Sequence, residues 1–188
     1  MLAILGALLL VASPPEQEVR ALGPAGPMGG TLTLPARGRP PFPAIVTITG
    51  SGAHFRDGNR SAEDHYQPFR QIADTLAGCG IATLRLDDRG VGASAGDAAA
   101  ATAEDTAADT RAAVAFLRAR PDIDPRRVAL LGHSYGGEIA PMVAADDPAI
   151  AAVVLLAAGA RSFRETMRYQ HRYRIENDPT IPPAERDA

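Results

Sequence analysis

The sequence predicts an α/β protein, a mostly parallel sheet with helices packed on its flanks. Strand-like and helix-like segments alternate from residue 44 onward, the order that a parallel sheet with right-handed crossovers requires. Val128–Leu131 is wholly apolar and runs straight into a glycine-bounded turn, which suits a strand buried on both faces. With 188 residues, 46% apolar and 22% charged, the chain is long enough for one domain with a real core.

Leu2–Ala12 is a continuous apolar run, too short to span a bilayer but the size of a secretory signal core. Residues 1–13 are therefore read as an export signal, giving a periplasmic or secreted location; without it the location would be cytoplasmic. Glu18–Leu22 and Thr31–Leu34 are expected as short strands joined through a turn-rich Gly-Pro-Ala-Gly-Pro-Met-Gly-Gly link. Residues 35–43 read as loop. Ala44–Thr49 is the first strongly β-like run, and it ends in Gly50-Ser51-Gly52, a backbone able to approach a ligand closely. Phe69–Leu76 reads as a helix with Phe69, Ile72, Ala73 and Leu76 on one face, stopped by Gly78 and Gly80.

Ile81–Leu86 is the next strand, followed by Asp87-Asp88-Arg89-Gly90-Val91-Gly92. A long helix is expected over Ala103–Arg118, with Ala103, Ala107, Thr110, Val114 and Leu117 along one side. Glu104 and Asp105 stand at its positive end and Arg118 and Arg120 near its negative end. Asp122–Pro125 closes it. Ala151–Leu156 forms a final apolar strand. Residues 161–188 differ in character: Arg161, Arg164, Arg168 and Arg172 fall on one helical face, as in the start of a cap or lid segment or a disordered tail.

The net charge of −3 gives no electrostatic case for nucleic acid or for an acidic membrane surface. Cys79 is the sole cysteine, which excludes a disulfide framework and any cysteine-based metal cluster. No set of His, Asp and Glu has metal-ligand spacing, so no metal and no cofactor is expected. A nucleotide-binding reading lacks both Gly-x-Gly-x-x-Gly after a first strand and a P-loop lysine.

The chemistry concentrates in Gly132-His133-Ser134-Tyr135-Gly136. A strand that turns at once into a helix leaves no room for side chains two residues either side of the turning point. Gly132 and Gly136 relieve that crowding, and Ser134 can hold strained dihedrals with its hydroxyl pointing away from the sheet. The backbone N–H of Tyr135, at the start of the new helix, then faces the place where an oxyanion would form. Ser134 is the candidate nucleophile. Pro141 is discordant, because proline inside a helix removes a hydrogen bond.

Across residues 31–165 the chain resembles the α/β-hydrolase superfamily. Thr49-Gly50-Ser51-Gly52 followed by Arg56-Asp57-Gly58, then Asp87-Asp88-Arg89-Gly90-Val91-Gly92-Ala93-Ser94, then Gly132–Gly136 occur in that family's order. The combination is similar to a bacterial serine esterase branch near the serine aminopeptidase and dienelactone hydrolase groups. The resemblance implies the N-terminal part of an α/β-hydrolase domain over residues 18–160, acting on a small-molecule ester by acyl transfer. Ser134 would attack the carbonyl, and the N–H groups of Tyr135 and Ser51 would hold the oxyanion, with Gly52 the alternative to Ser51. Asp88 and Arg89 are expected to brace their turn. His54 is expected half-exposed in the oxyanion loop, and His133 beside the sheet, where it cannot act as base.

The family's order of serine, acid, histidine runs past this sequence, which resembles the first part of a hydrolase truncated after the sixth strand. His171 is the one histidine after Ser134 and lies on the arginine-rich segment. Asp146 and Asp147 come too early for the acid, while Glu165 occupies a position where some family members keep it. The turn at Ser134 would equally serve a peptidase or amidase. A further alternative is a non-catalytic hydrolase-like binding protein.

Overall fold

Six strands form one sheet in the order β1-β2-β4-β3-β5-β6 in the computed structural model, which describes residues 13–61 and 63–182. Leu2–Ala12, the expected export-signal core, lies outside the described residues. The strands are β1 (Glu16–Gly23), β2 (Gly26–Thr33), β3 (Phe42–Ile48), β4 (Ala82–Leu86), β5 (Ile123–His133) and β6 (Val153–Leu156). The helices are α1 (Pro68–Gly78), α2 (Ala103–Arg118), α3 (Gly136–Asp146) and α4 (Phe163–Asn177). β1 and β2 form an antiparallel hairpin, β2 pairs antiparallel with β4, and β4, β3, β5 and β6 are parallel. This is the expected mostly parallel sheet, and its parallel strands deliver their C-terminal ends to one edge, where ligands bind in such folds.

The core follows from the apolar runs. Val46, Leu84 and Leu130 lie in register across β3, β4 and β5 and pack with Val114 and Leu117 of α2 and Ile139 and Val143 of α3. On the opposite face, Phe69 of α1 packs with Ile45 and Leu131. The expected helix faces are the buried ones: Phe69 and Ala73 in α1, and Ala107, Thr110, Val114 and Leu117 in α2. Thr102 caps α2, its Oγ1 accepting from the Asp105 N–H while the Asp105 carboxylate accepts from the Thr102 N–H.

Two expectations need correction. β2 begins at Gly26 rather than Thr31: its glycines read as turn, but a Cβ on Gly30 would stand 2.3 Å from the Arg85 carbonyl oxygen, so only glycine fits there. β5 begins at Ile123, within the segment read as closing the preceding helix, and a register shift between Phe42 and Ala44 absorbs the irregularity. Pro141 lies inside α3, as its position in the sequence implied, and the helix continues past it to Asp146. α4 is a helix over part of the arginine-rich segment, and Tyr169 and Tyr173 stand exposed on it. Among the described residues no helix is long and apolar enough to cross a membrane.

Buried ion pairs tie the loop after β3 to the sheet. Arg85, fully buried within β4, meets Asp57 and the Glu16 carboxylate. Arg56 forks onto Asp87, Nε to Oδ1 at 3.1 Å and Nη2 to Oδ2 at 2.9 Å. Burial pushes the Asp87 carboxyl up, but Arg56 and the N–H groups of Ala93 and Arg56 outweigh that and hold it below its ordinary value of 3.8. A depressed folded pKa stabilises the fold above the unfolded pKa and loses that contribution as pH falls through the folded value. Asp87→Asn is therefore expected to lower unfolding free energy at pH 7 by about 3 kcal/mol. The gap to the parent chain should narrow below about pH 4 in urea titrations; parallel pH profiles would contradict the assignment.

Candidate active site

The turn from β5 into α3 puts Ser134 at φ +52°, a left-handed conformation that a non-glycine residue adopts only under constraint. The constraint is visible in its neighbours. A Cβ on Gly132 would lie 2.1 Å from the Gly136 carbonyl oxygen, and one on Gly136 would lie 2.4 Å from that of Ile48. Strand and helix thus meet too closely for any side chain at either position. The Ser134 N–H donates to the Leu156 carbonyl at 2.9 Å, while its own carbonyl accepts from Gly137 at 3.0 Å to begin α3. The serine backbone is held from both sides.

The loop after β3 passes directly over this turn. A Cβ on Gly50 would come 3.5 Å from the Ser134 Cβ. Asp88 clasps both ends of the loop: its carboxylate accepts from the Thr49 hydroxyl at 2.7 Å and from the His54 N–H at 2.9 Å. Between those anchors, Ser51 and Gly52 are exposed, Gly52 has φ +98°, and the Ser51 carbonyl accepts from Arg60 at 3.0 Å. Arg89 reaches the other way, pairing with Asp105 and Asp109 of α2 at 2.9 Å each. Gly50, Ser51, Gly52 and Tyr135 line one cavity of about 450 Å³, which extends between α2 and α3.

The remaining sequence candidates fall elsewhere. His133 is exposed, its ring edge-on to Phe69 at 6.3 Å. His54 is half-buried, with Nδ1 3.6 Å from Asp88 Oδ2. His171 is exposed on α4. Glu165 is engaged in the N-terminal cap of α4, accepting from the Ser162 N–H and hydroxyl, and these bonds hold its carboxyl below its ordinary pKa. Asp146 and Asp147 pair with Arg111 and Arg118 of α2. Among the described residues none of these groups hydrogen-bonds to the Ser134 hydroxyl, and no cluster of three or more His, Cys, Asp or Glu side chains could hold a metal ion.

Sequence reasoning missed Glu138. It lines the cavity from the first turn of α3, and burial raises its carboxyl above the ordinary pKa. The available signal was spacing: Tyr135 and Glu138 lie three apart on a helix and so share a face. Arg85 was also missed, although a lone charge within the apolar run Ile81–Leu86 marks a buried ion pair.

The strand order and the serine turn define the chain as an α/β hydrolase, and known proteins agree. The pattern of the serine aminopeptidase (S33) family matches residues 62–173, and the chain belongs to that family. It is 33% identical over 144 residues to esterase EstD of Thermotoga maritima, a match covering 77% of this chain and 33% of the relative. Among solved structures, the α/β hydrolase GrgF of Penicillium superposes with a TM-score of 0.65 at 26% identity, over 86% of this chain and 52% of that one. A lidless serine hydrolase of Xanthomonas campestris shares the fold at 23% identity and a TM-score of 0.60, over 79% of this chain and 63% of that one. The chain thus spans about a third of the length of the esterase it matches.

The strain at residue 134 has a measurable sign. Ser134→Gly relieves the positive φ and is expected to raise unfolding free energy by about 1 kcal/mol. Gly136→Ala forces a methyl against backbone and should lower it by about 3 kcal/mol. Equal effects of the two substitutions in denaturant melts would contradict the tight turn.

Proposed function

We propose that this chain carries the nucleophile and oxyanion-binding part of a serine esterase, hydrolysing small-molecule carboxylic esters through an acyl-enzyme on Ser134. The observation that carries the reading is the Ser134 backbone at φ +52°, wedged between two obligatory glycines and facing the Asp88-clasped loop. A strained turn of this kind persists where the hydroxyl is needed in one orientation. Attack by Oγ on the carbonyl carbon moves the π pair onto oxygen. The N–H groups of Tyr135 and Ser51, or Gly52 in place of Ser51, receive that charge. The hydroxyl proton of Ser134 passes to water. Collapse expels the alkoxide, which takes a proton from water to leave as the alcohol. A second water cleaves the acyl-serine to the acid and restores the hydroxyl.

The esterase at 33% identity supports esters over amides. So does chemistry: an amine departs only after protonation by a general acid, whereas an alkoxide is a better leaving group. Among the described residues no imidazole hydrogen-bonds to the Ser134 hydroxyl. Loss of the histidine in a serine hydrolase lowers turnover by about six orders of magnitude. Slow turnover of p-nitrophenyl butyrate by these 188 residues is therefore expected.

A fluorophosphonate probe tests the nucleophile without requiring turnover. Mass mapping is expected to find the adduct on Ser134 of the folded chain, absent after urea unfolding and in Ser134→Ala. An unlabelled Ser134 in a folded sample, or labelling spread equally over other serines, would refute the reading.

A further inference from the structure

The 450 Å³ cavity beside the loop at 49–53 is walled mostly by apolar and small groups, Ile139 and Met142 of α3 and Ala103 and Ala113 of α2 among them. Its charged groups are unevenly matched. Arg89, its one cation, is engaged by Asp105 and Asp109. Asp87 is engaged by Arg56, and Asp88 by Thr49 and the His54 N–H. Glu138 is the remainder: no described side chain donates a hydrogen bond or forms an ion pair to its carboxylate. Burial raises the pKa of Glu138. Burial, then the charges of Glu138 and Glu104, raises that of the adjoining Tyr135 phenol.

We infer that this cavity is a recognition site for an organic cation, an alkylammonium group whose charge meets Glu138 while its carbon chain lies against Met142 and Ala103. An unpaired carboxylate beside apolar surface favours a ligand that supplies both the missing positive charge and hydrocarbon. An anion would meet four carboxylates against one neutralised guanidinium. A neutral chain would leave the Glu138 charge desolvated with no partner.

The cavity shares Ser51, Gly52 and Tyr135 with the proposed oxyanion site. Resting on the esterase reading, the inference makes the substrate class an ester with a basic nitrogen on the arm that enters the cavity. The cavity and its charge do not depend on that reading, so binding can be measured apart from catalysis.

Isothermal titration of the full chain at pH 7.5 and low salt should compare hexylammonium chloride, 1-hexanol and sodium hexanoate. Hexylammonium is expected to bind at least about tenfold more tightly than either, and Glu138→Gln is expected to abolish the difference. Equal binding of hexanol, no binding of hexylammonium, or a preference that survives in folded Glu138→Gln would overturn the inference. Should that variant fail to fold, amide shifts of the parent chain decide: hexylammonium must perturb Tyr135, Ile139 and Met142, and perturbations confined elsewhere overturn it. A cation preference in a chain whose Ser134 resists fluorophosphonate leaves this inference standing and removes the esterase reading. Labelling without a cation preference does the reverse.

Discussion

The structure depends on one steric constraint, the absence of space between the end of β3 and the turn from β5 to α3. The carbonyls of Ile48 and Thr49 come within 2.4 and 2.5 Å of where a Gly136 side chain would begin. That proximity sets glycine at 136, the first turn of α3 sets it at 132, and the loop at 49–54 lies over the serine. Sheet order makes this contact unavoidable, because β3 and β5 are parallel neighbours from Ala44–Val128 to Ile48–Gly132. Two chain segments far apart in sequence are thereby joined beside Ser134.

A second layer of contacts keeps that geometry from relaxing. The turn after β4 distributes three consecutive charged residues in three directions: Asp87 to Arg56, Asp88 to Thr49 and the His54 N–H, Arg89 to α2. The loop that would receive an oxyanion is therefore gripped at both ends while its middle remains exposed. Isolated surface pairs would contribute little, but Asp87 is almost wholly buried beneath Arg56, where removing one partner leaves a charge without compensation. These residues act on the candidate site through backbone position.

Much of this was legible in the sequence because it rests on local rules. Apolar runs and helical spacing located the sheet and the faces of α1 and α2, and Gly-x-Ser-x-Gly located the turn at 134. What escaped depended on neighbours distant in sequence. The glycines of β2 resemble a turn until the Arg85 carbonyl is seen beside Gly30. Arg85 itself is buried only because Glu16 and Asp57 converge on it. Glu165 reads as a spare acid until Ser162 is found hydrogen-bonded to it. Glu138 gained significance only when α2 and α3 enclosed a cavity around it.

A crystal structure of the chain inhibited by diethyl p-nitrophenyl phosphate tests the central geometry most directly. Phosphorus is expected bonded to Ser134 Oγ, the residue still at positive φ, with a phosphoryl oxygen about 2.7–3.1 Å from the N–H groups of Tyr135 and of Ser51 or Gly52. A Ser134 relaxed to negative φ, or a phosphoryl oxygen directed into solvent away from both donors, would contradict it.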